Sequence, residues 1–234
     1  MSDDRVCVVT GVGPGNGTAM CQRFAAGGYR VAALARHTGQ LDEVVGGLDG
    51  VLPVACDVTD PAAVGSAFDR IRAELGEPGV VLYNAGSGTW ARFDEVAADD
   101  LRDAWEVNTL GLFHVAKQVL PSMRQRGAGV LGITGATATR RGKPITTAFA
   151  QAKAAQHHLA ESLAREFGPA GVHVFYVVVD GVVDLPRTRQ AMPDKPAEFF
   201  LAPEDVARAF WDVAHQPRSA WTFELEVRPF GESW

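Results

Sequence analysis

The chain has 234 residues, of which 47% are hydrophobic, with 28 Asp and Glu against 22 Lys and Arg. This length and apolar content suit one large core, so we expect a single domain spanning 1–234. The acidic balance and the lack of a basic run argue against nucleic acid as a partner.

The cysteines Cys7, Cys21 and Cys56 include no Cys-x-x-Cys pair, so the pattern indicates neither a disulfide framework nor a metal site. No apolar run approaches the length of a membrane span, and the N-terminus M-S-D-D-R begins no long apolar segment. We therefore expect a cytoplasmic protein with no membrane partner and no bound metal.

Short apolar runs predict six buried strands and a final strand of alternating pattern. They are Val6–Thr10, Val31–Ala35, Val51–Cys56, Val80–Tyr83, Val130–Thr134, Val172–Val179 and Thr222–Val227. Helices are predicted at Gly17–Gly28, Pro61–Leu75, Asp99–Arg126, Thr146–Phe167 and Pro203–His215. Strands that alternate with helices predict an α/β fold with a parallel sheet joined by right-handed crossovers.

The first predicted strand runs directly into T-G-V-G-P-G-N-G, and a helix follows. Glycines let the backbone turn sharply and approach a pyrophosphate, and the free N–H groups at the start of a helix favour negative charge. A glycine-rich turn can also be a plain connection. Its place after the first buried strand favours a phosphate-binding turn made by Gly11, Gly13, Gly15, Asn16 and Gly17.

The spacing T-G-x-x-x-G-x-G resembles that of the short-chain dehydrogenase/reductase family, and the resemblance runs along nearly the whole chain. Four further segments match motifs of the family in order: Cys56-Asp57-Val58, Asn84-Ala85-Gly86, Val107-Asn108 and Lys153. The resemblance implies a Rossmann-type, doubly wound parallel sheet of about seven strands in three α/β/α layers. It also implies that Asp57 and Val58 flank the adenine of a dinucleotide.

The resemblance further implies that Asn108 lies in a distorted helical turn near a water molecule. It places Lys153 at the nicotinamide ribose, where the ammonium group would lower the pKa of a neighbouring phenol. The second strand ends in Ala35-Arg36, with no carboxylate for the adenosine ribose hydroxyls. An Arg there can pair with a 2′-phosphate, so we expect NADP to be favoured over NAD, although a solvated Arg is the alternative.

Phe149 stands where the family has its catalytic Tyr, four residues before Lys153, and Ala136 stands where it has its catalytic Ser. A phenyl ring and a methyl group have no proton to donate to a carbonyl oxygen. The chain thus resembles a divergent member of the family that keeps Lys153 and Asn108 as catalytic candidates. Nearby threonines are better explained as capping or packing residues than as replacement acids; they are Thr134, Thr137, Thr146 and Thr147.

The resemblance places a variable substrate loop at 185–201, and the candidate substrate pocket comprises Trp90, Ala136, Phe149 and Asp184. Asp180 and Asp184 follow the sixth strand, at the end of the sheet where ligands of α/β proteins bind. Each carboxylate could be an acid, a base or a substrate anchor, or could instead brace the turn or cap a helix.

Two functions fit these residues. The first is an NADP-dependent oxidoreductase acting on a small carbonyl, alcohol or activated alkene, with water, an Asp or a Thr replacing the phenol. The second is a catalytically idle NADP-binding protein that senses the cofactor or serves as an assembly partner. Family members pair through two long helices, here Leu101–Arg126 and Thr146–Phe167, so the resemblance implies a homodimer or homotetramer.

Overall fold

The computed structural model describes residues 5–37, 39, 41 and 45–231; the N-terminal segment considered above, Met1–Asp4, lies outside them. The strands are β1 (Val6–Thr10), β2 (Arg30–Ala35), β3 (Val51–Ala55), β4 (Val80–Tyr83), β5 (Gly129–Ala136), β6 (Val172–Val179), β7 (Val182–Val183), β8 (Phe200–Leu201) and β9 (Glu224–Val227). The α-helices are α1 (Asn16–Ala26), α2 (Pro61–Glu74), α3 (Ala98–Trp105), α4 (Gly111–Arg126), α5 (Thr147–Phe167), α6 (Pro186–Ala191) and α7 (Pro203–Ala214).

Seven of the strands form one sheet in the order β3-β2-β1-β4-β5-β6-β9, and every pair in it is parallel. The order reverses at β1, which lies between β2 and β4. This is the doubly wound parallel sheet expected from the sequence. Because parallel neighbours require crossovers, the helices cover both faces of the sheet.

Two apolar layers explain why the strands are apolar throughout. On one face, residues of α2, α4 and α5 form one apolar cluster with Val6 and Val8 of β1. On the other face, residues of α1 and α7 form a second apolar cluster with Cys7 and Val9 of the same strand. Successive side chains of a strand point to opposite faces, so a strand covered on both faces needs apolar residues at every position.

The predicted helix Asp99–Arg126 is interrupted in the structure. A π-helical turn, Glu106–Leu110, separates α3 from α4. The hydroxyl of the buried Tyr83, at the end of β4, donates a hydrogen bond of 2.5 Å to the carbonyl of Val107 in this turn. Gly111 makes room for it, because a Cβ at Gly111 would lie 2.4 Å from the Tyr83 oxygen. Single π turns of this kind are common at functional sites.

The segment predicted as a loop at 185–201 contains the short helix α6 and ends in β8, which pairs with β7 in a separate two-stranded sheet. Pro186 at the first position of α6 favours this helix, since its fixed φ suits a helix start. Among the helices of the described residues, none is both long enough and apolar enough to cross a membrane.

Candidate active site

A cavity of about 760 Å³ lies at the carboxyl ends of β1, β2 and β4, where the strand order reverses. Its wall includes most of the predicted cofactor residues, namely Gly11, Gly13, Asn16, Gly17, Arg36, Asp57, Val58, Asn84, Ala85 and Gly86. Of that predicted set, Gly15 and Lys153 do not line it. Ligands of open α/β sheets bind in this crevice.

The glycine turn is built by close approach and unusual backbone angles. Gly11 has φ of +68°, and a Cβ there would lie 2.5 Å from the Cα of Ala85. A Cβ on Gly17 would lie 2.8 Å from the Cα of Val12. By contrast, a Cβ on Gly13 would meet nothing within 4 Å, so space remains open beside the cavity. The N-terminus of α1 therefore faces a space that a phosphate can enter.

Asn84 fixes the turn from the neighbouring strand. Its side-chain nitrogen donates to the carbonyl of Gly11 at 3.0 Å, and its side-chain oxygen accepts from the hydroxyl of Thr134 at 3.1 Å. Its backbone N–H donates to the hydroxyl of Thr10 at 3.3 Å. Asn84 therefore joins the ends of β1, β4 and β5, which positions the floor of the cavity.

Arg36 and Asp57 lie at the end of the cavity formed by β2 and β3. Thr59 donates to Asp57 through its backbone N–H at 2.9 Å and its hydroxyl at 2.8 Å. Burial acts to raise the pKa of Asp57, but these bonds and the charge of Arg36 outweigh it and hold the pKa below its usual range. Asp57 is thus a fixed, ionised group, while the exposed Arg36 provides positive charge.

Lys153 is 4% exposed, and its Nζ donates to the carbonyl of Thr134 at 2.8 Å and to Oε1 of Gln156 at 3.0 Å. Burial lowers the pKa of this amine to about 7. A Cβ on Gly86 would lie 3.7 Å from Nζ, and Gly86 lines the cavity. The amine therefore lies close to the cavity, although no residue of α5 lines the cavity wall.

Asn108 is fully buried in the π turn. Its Nδ2 donates to the carbonyls of Ser87 at 2.6 Å and Ala104 at 2.7 Å. Its Oδ1 is buried without a hydrogen-bond partner in the described part of the chain, and a Cβ on Gly86 would lie 3.3 Å from it. The side chain links the π turn to the segment after β4.

Gln156 is a site residue that the sequence analysis did not identify. Its Nε2 donates to the carbonyl of Asn108 at 2.8 Å, and its Oε1 accepts from Lys153. The available signal was its position three residues after Lys153 on α5, because residues at that spacing share a helix face. A polar side chain on that buried face requires partners.

Phe149 lies beside Trp90, with ring centroids 5.2 Å apart. It also packs against Gly88, where a Cβ would lie 2.7 Å from its Cδ2. Nζ of Lys153 lies 5.8 Å from the Phe149 ring centroid. Ala136 ends β5, and its N–H donates to the hydroxyl of Thr139 at 3.3 Å. Neither Phe149 nor Ala136 carries a group that can donate a proton to a substrate.

The two carboxylates after β6 have structural partners. Asp180 is bound by Thr137, by Arg228 at 2.5 Å and by Arg141 at 3.4 Å. Burial acts to raise its pKa, but the bonds from Thr137 and Arg228 and the nearby positive charges outweigh it and keep the pKa low. Asp180 therefore braces the turn.

Asp184 forms a two-point ion pair with Arg189 of α6, at 2.7 and 2.8 Å. It lines a second cavity, of about 340 Å³, rather than the wall of the larger one. The residue that caps α6 is Leu185, so Asp184 holds the helix through Arg189 and not as its cap.

The threonines near Phe149 have local partners as well. Thr134 donates to Asn84, Thr137 donates to Asp180, and Thr146 donates to the carbonyl of Lys143 at 3.1 Å. These bonds support structural roles for the three hydroxyls. No group of three or more His, Cys, Asp or Glu that could hold a metal ion occurs among the residues that the structure describes.

The start of the predicted substrate loop covers the glycine turn. Leu185, Pro186, Arg187 and Thr188 line the larger cavity. A Cβ on Gly15, whose φ is +112°, would lie 2.5 Å from Cδ2 of Leu185. The resemblance implied a substrate loop at this stretch, whereas its first residues lie over the glycine turn in the structure.

These residues fit a nicotinamide dinucleotide. The open space at Gly13 and the N-terminus of α1 suit a pyrophosphate. Oδ1 of Asn16 lines the same turn and is buried without a hydrogen-bond partner among the described residues, so it can accept from a ligand donor. Arg36 and Asp57 add one positive and one negative group at the ends of β2 and β3.

Comparison with known proteins agrees with this geometry. An uncharacterized oxidoreductase of Staphylococcus aureus (strain MRSA252) is 28% identical over 232 residues, which cover 97% of each chain. The 7alpha-hydroxysteroid dehydrogenase of Escherichia coli (strain K12) is 27% identical over 233 residues, covering 94% of this chain and 90% of the enzyme.

Among solved structures, the alcohol dehydrogenase of the archaeon Thermococcus sibiricus, complexed with 5-hydroxy-NADP, superposes with a TM-score of 0.86. It is 26% identical, and the match covers 98% of both chains. The model of the short chain dehydrogenase family matches residues 5–196. The chain therefore belongs to the short-chain dehydrogenase/reductase family of NAD(P)-dependent oxidoreductases.

Proposed function

We propose that this protein is an NADP-dependent oxidoreductase that acts on a small carbonyl, alcohol or activated alkene. The observation that carries the proposal is the place of Lys153, whose Nζ lies next to Gly86 on the cavity wall and is held by two hydrogen bonds. Burying an amine costs folding free energy, so packing alone does not explain why this amine is fixed beside a ligand cavity.

The residues of the cavity would hold the cofactor in a defined order. The N–H groups at the start of α1 would bind the pyrophosphate, and Arg36 would pair with a 2′-phosphate because Ala35 offers no carboxylate to a ribose. Lys153 would donate to the hydroxyls of the nicotinamide ribose. The bound cofactor supplies or accepts a hydride, while these residues bind and orient it.

The substrate would lie against Phe149, Trp90 and Ala136. Phe149 and Ala136 present carbon atoms where a proton donor would otherwise stand, and the nearby Thr137 and Asp180 are bound to each other. Water therefore supplies the proton in this proposal. The names of the relatives, a hydroxysteroid dehydrogenase and an alcohol dehydrogenase, support an alcohol or carbonyl as the reacting group.

A second function is supported by Phe149 and Ala136, since neither side chain carries a hydroxyl. With neither hydroxyl present, the protein could bind NADP without turnover and act as a cofactor sensor or an assembly partner. The retained Lys153 and Asn108 favour the first function, since only hydride transfer requires the amine and the π turn to be placed together.

Transfer of a deuterium label separates the two functions. The protein is incubated with NADPH carrying deuterium at the transferable position and with a panel of ketones, aldehydes, quinones and activated alkenes. Mass spectrometry of the products should find deuterium in at least one of them. Tight NADPH binding by calorimetry with no deuterium in any product would support the idle binder instead.

A further inference from the structure

Gln156 connects three parts of the site through one side-chain amide. Its Nε2 donates to the carbonyl of Asn108 in the π turn at 2.8 Å. Its Oε1 accepts from Nζ of Lys153 at 3.0 Å and from the hydroxyl of Tyr176 on β6 at 3.0 Å. The amide is fully buried, so every one of these bonds forms away from water.

The orientation of this amide is determined by its neighbours. A carbonyl can only accept a hydrogen bond, so the group facing Asn108 must be the NH₂ of Gln156. An ammonium can only donate, so the group facing Lys153 must be the oxygen. The opposite orientation would set two acceptors against each other at one end and two donors at the other.

The oxygen of Gln156 is itself fixed from a second side. The hydroxyl of Tyr176 that donates to it lies 2.9 Å from the hydroxyl of Thr139, which accepts from the N–H of Ala136. The ring of Tyr176 fills the space above Gly135, where a Cβ would lie 2.0 Å from its Cε1. The acceptor that Lys153 meets therefore cannot rotate away without disturbing β5 and β6.

Lys153 depends on this acceptor because it has no ionic partner in the described part of the chain. The acceptors that the structure gives Nζ are a backbone carbonyl and the neutral amide of Gln156. The other titratable side chain in the network is Tyr176, which reaches Lys153 through Gln156 and through the Lys153 carbonyl at 3.5 Å. An ammonium stabilised by two dipoles alone is sensitive to losing either one.

We propose that Gln156 is the positioning residue of this site: it ties Lys153 to the π turn, holds Nζ against Gly86 and determines how readily the amine keeps its proton. Two of the three N–H bonds of the ammonium are used behind the site, which leaves the third for a group in the cavity. Its link to catalysis rests on the proposed oxidoreductase function, whereas the effect on Lys153 itself does not require a cofactor.

The sequence makes a direct measurement practical. The lysines of the chain are Lys117, Lys143, Lys153 and Lys195, so a protein labelled with ¹³C at the lysine ε-carbons gives few signals. Replacement of Lys153 by Arg assigns its signal. Titration of the full chain without cofactor then reports the protonation of this one amine, independently of whether the protein turns over any substrate.

Two substitutions should move this titration in opposite directions. Gln156→Met keeps the length of the side chain but removes the acceptor, so the Lys153 midpoint should fall by about one pH unit or more. Gln156→Glu offers a carboxylate in place of the amide oxygen, so the midpoint should rise by about 1–3 units. The matched control is Gln151→Met, which removes another amide from α5, one that bonds to Leu101 and Ala148 instead.

The control should lower stability without moving the Lys153 midpoint. A Lys153 midpoint that is unchanged in Gln156→Glu overturns the proposal, whether or not Gln156→Met folds. The wild-type protein gives a further measurement: the side-chain amide signals of Gln156 should shift with the same midpoint as Lys153. Gln156 amide signals that do not change during the Lys153 titration would also overturn the proposal.

Discussion

The ring of Phe149 packs under the indole of Trp90, with the two planes tilted by 35° and the centroids 5.2 Å apart. Trp90 is 61% exposed, so the pair forms an apolar surface that is open to solvent and lies beside Lys153. Where a proton donor would be needed for carbonyl reduction, this protein presents an aromatic wall.

Restoring both hydroxyls should therefore create or raise carbonyl reduction. The double variant Ala136→Ser, Phe149→Tyr places a phenol beside Lys153, and a nearby ammonium favours the ionised form of a phenol and lowers its pKa. Positioned acids contribute about 10²–10⁴-fold, so NADPH oxidation with generic ketones or quinones should increase within that range. Absorbance at the NADPH band follows the reaction.

The gain in the double variant should depend on Lys153. Adding Lys153→Ala to the two changes should remove most of it, which separates acid catalysis from a simple change of pocket shape. If NADPH binds to the double variant and no gain appears with any ketone or quinone, the substrate side as a whole has departed from carbonyl reduction.

Cofactor preference should depend on Arg36. In the wild type, NADPH should bind more tightly than NADH. Arg36→Ala should weaken the binding of NADPH by about 10–100-fold and leave the affinity for NADH nearly unchanged, because only NADPH carries the 2′-phosphate. Arg187→Ala, on α6 at the cavity wall, is the matched control and should affect both dinucleotides alike. Equal dissociation constants for the two in the wild type, measured by calorimetry, would refute this prediction.

The buried Lys153 should make stability depend on pH. Burial lowers its pKa to about 7 in the folded protein, against about 10.4 in an unfolded chain. Between these values the unfolded chain binds more protons, so the folded state should gain stability as pH rises through this window, by at most about 1.4 kcal/mol per pH unit, and level off above it.

Comparison with Lys153→Met isolates this effect. Burial raises the pKa of Tyr83 and of Cys7, and acids with raised pKa values lose folded-state stability as pH rises, which is the opposite sign. Urea unfolding at several pH values should therefore give a wild-type minus Lys153→Met difference that increases from pH 7 to 9. A flat difference would show that Lys153 titrates alike in both states.

The π turn should depend on the hydroxyl of Tyr83. Tyr83→Phe removes the hydroxyl that donates to the carbonyl of Val107, and the loss of one such hydrogen bond costs about 0.5–1.5 kcal/mol. Tyr29→Phe is the matched control, because its hydroxyl bonds to His215 at the surface and should cost less than about 0.5 kcal/mol. Equal losses for the two variants in urea unfolding would contradict a special role for the Tyr83 bond.

The protein should assemble into a homodimer or homotetramer through α3, α4 and α5. Trp105 and Phe113, which flank the π turn, are 40% and 44% exposed in the single chain. Large apolar side chains at this exposure suit burial in an interface. Light scattering at micromolar concentration should give a mass above that of one chain, and Phe113→Glu should lower it. A wild-type monomer would refute the prediction.

The parts of the fold that were predictable are those encoded by local patterns. Continuous apolar runs mark strands covered on both faces, and the glycine turn is recognisable because backbone angles and close contacts leave glycine little alternative at Gly11. The final strand alternates and lies at the sheet edge next to β6, so it was also visible. These patterns can be recognised from neighbours in sequence alone, although the contact that excludes a side chain at Gly11 comes from Ala85, after β4.

The parts that were not predictable depend on contacts distant in sequence. The resemblance implied a distorted turn at Asn108, but no helical pattern in the segment reveals the bond that Tyr83 makes to this turn. The role of Gln156 can be recognised only when α5 is seen to lie against the π turn and β6, because its partners there are distant in sequence. Similarly, Leu185 lies over Gly15 although the two residues are far apart in sequence. The sequence therefore contains no sign that this loop also covers the glycine turn.

The bonds of Gln156 to Lys153 and Tyr176 link the Lys153 amine to β6, which lies in the sheet between β5 and β9. Such strands open to hydrogen exchange only when the whole molecule unfolds. The amine is therefore joined to a strand inside the sheet by one intervening side chain. Any ligand that engages it should slow exchange throughout the central strands and raise the melting temperature by mass action, which gives a screen for ligands that requires no assay of turnover.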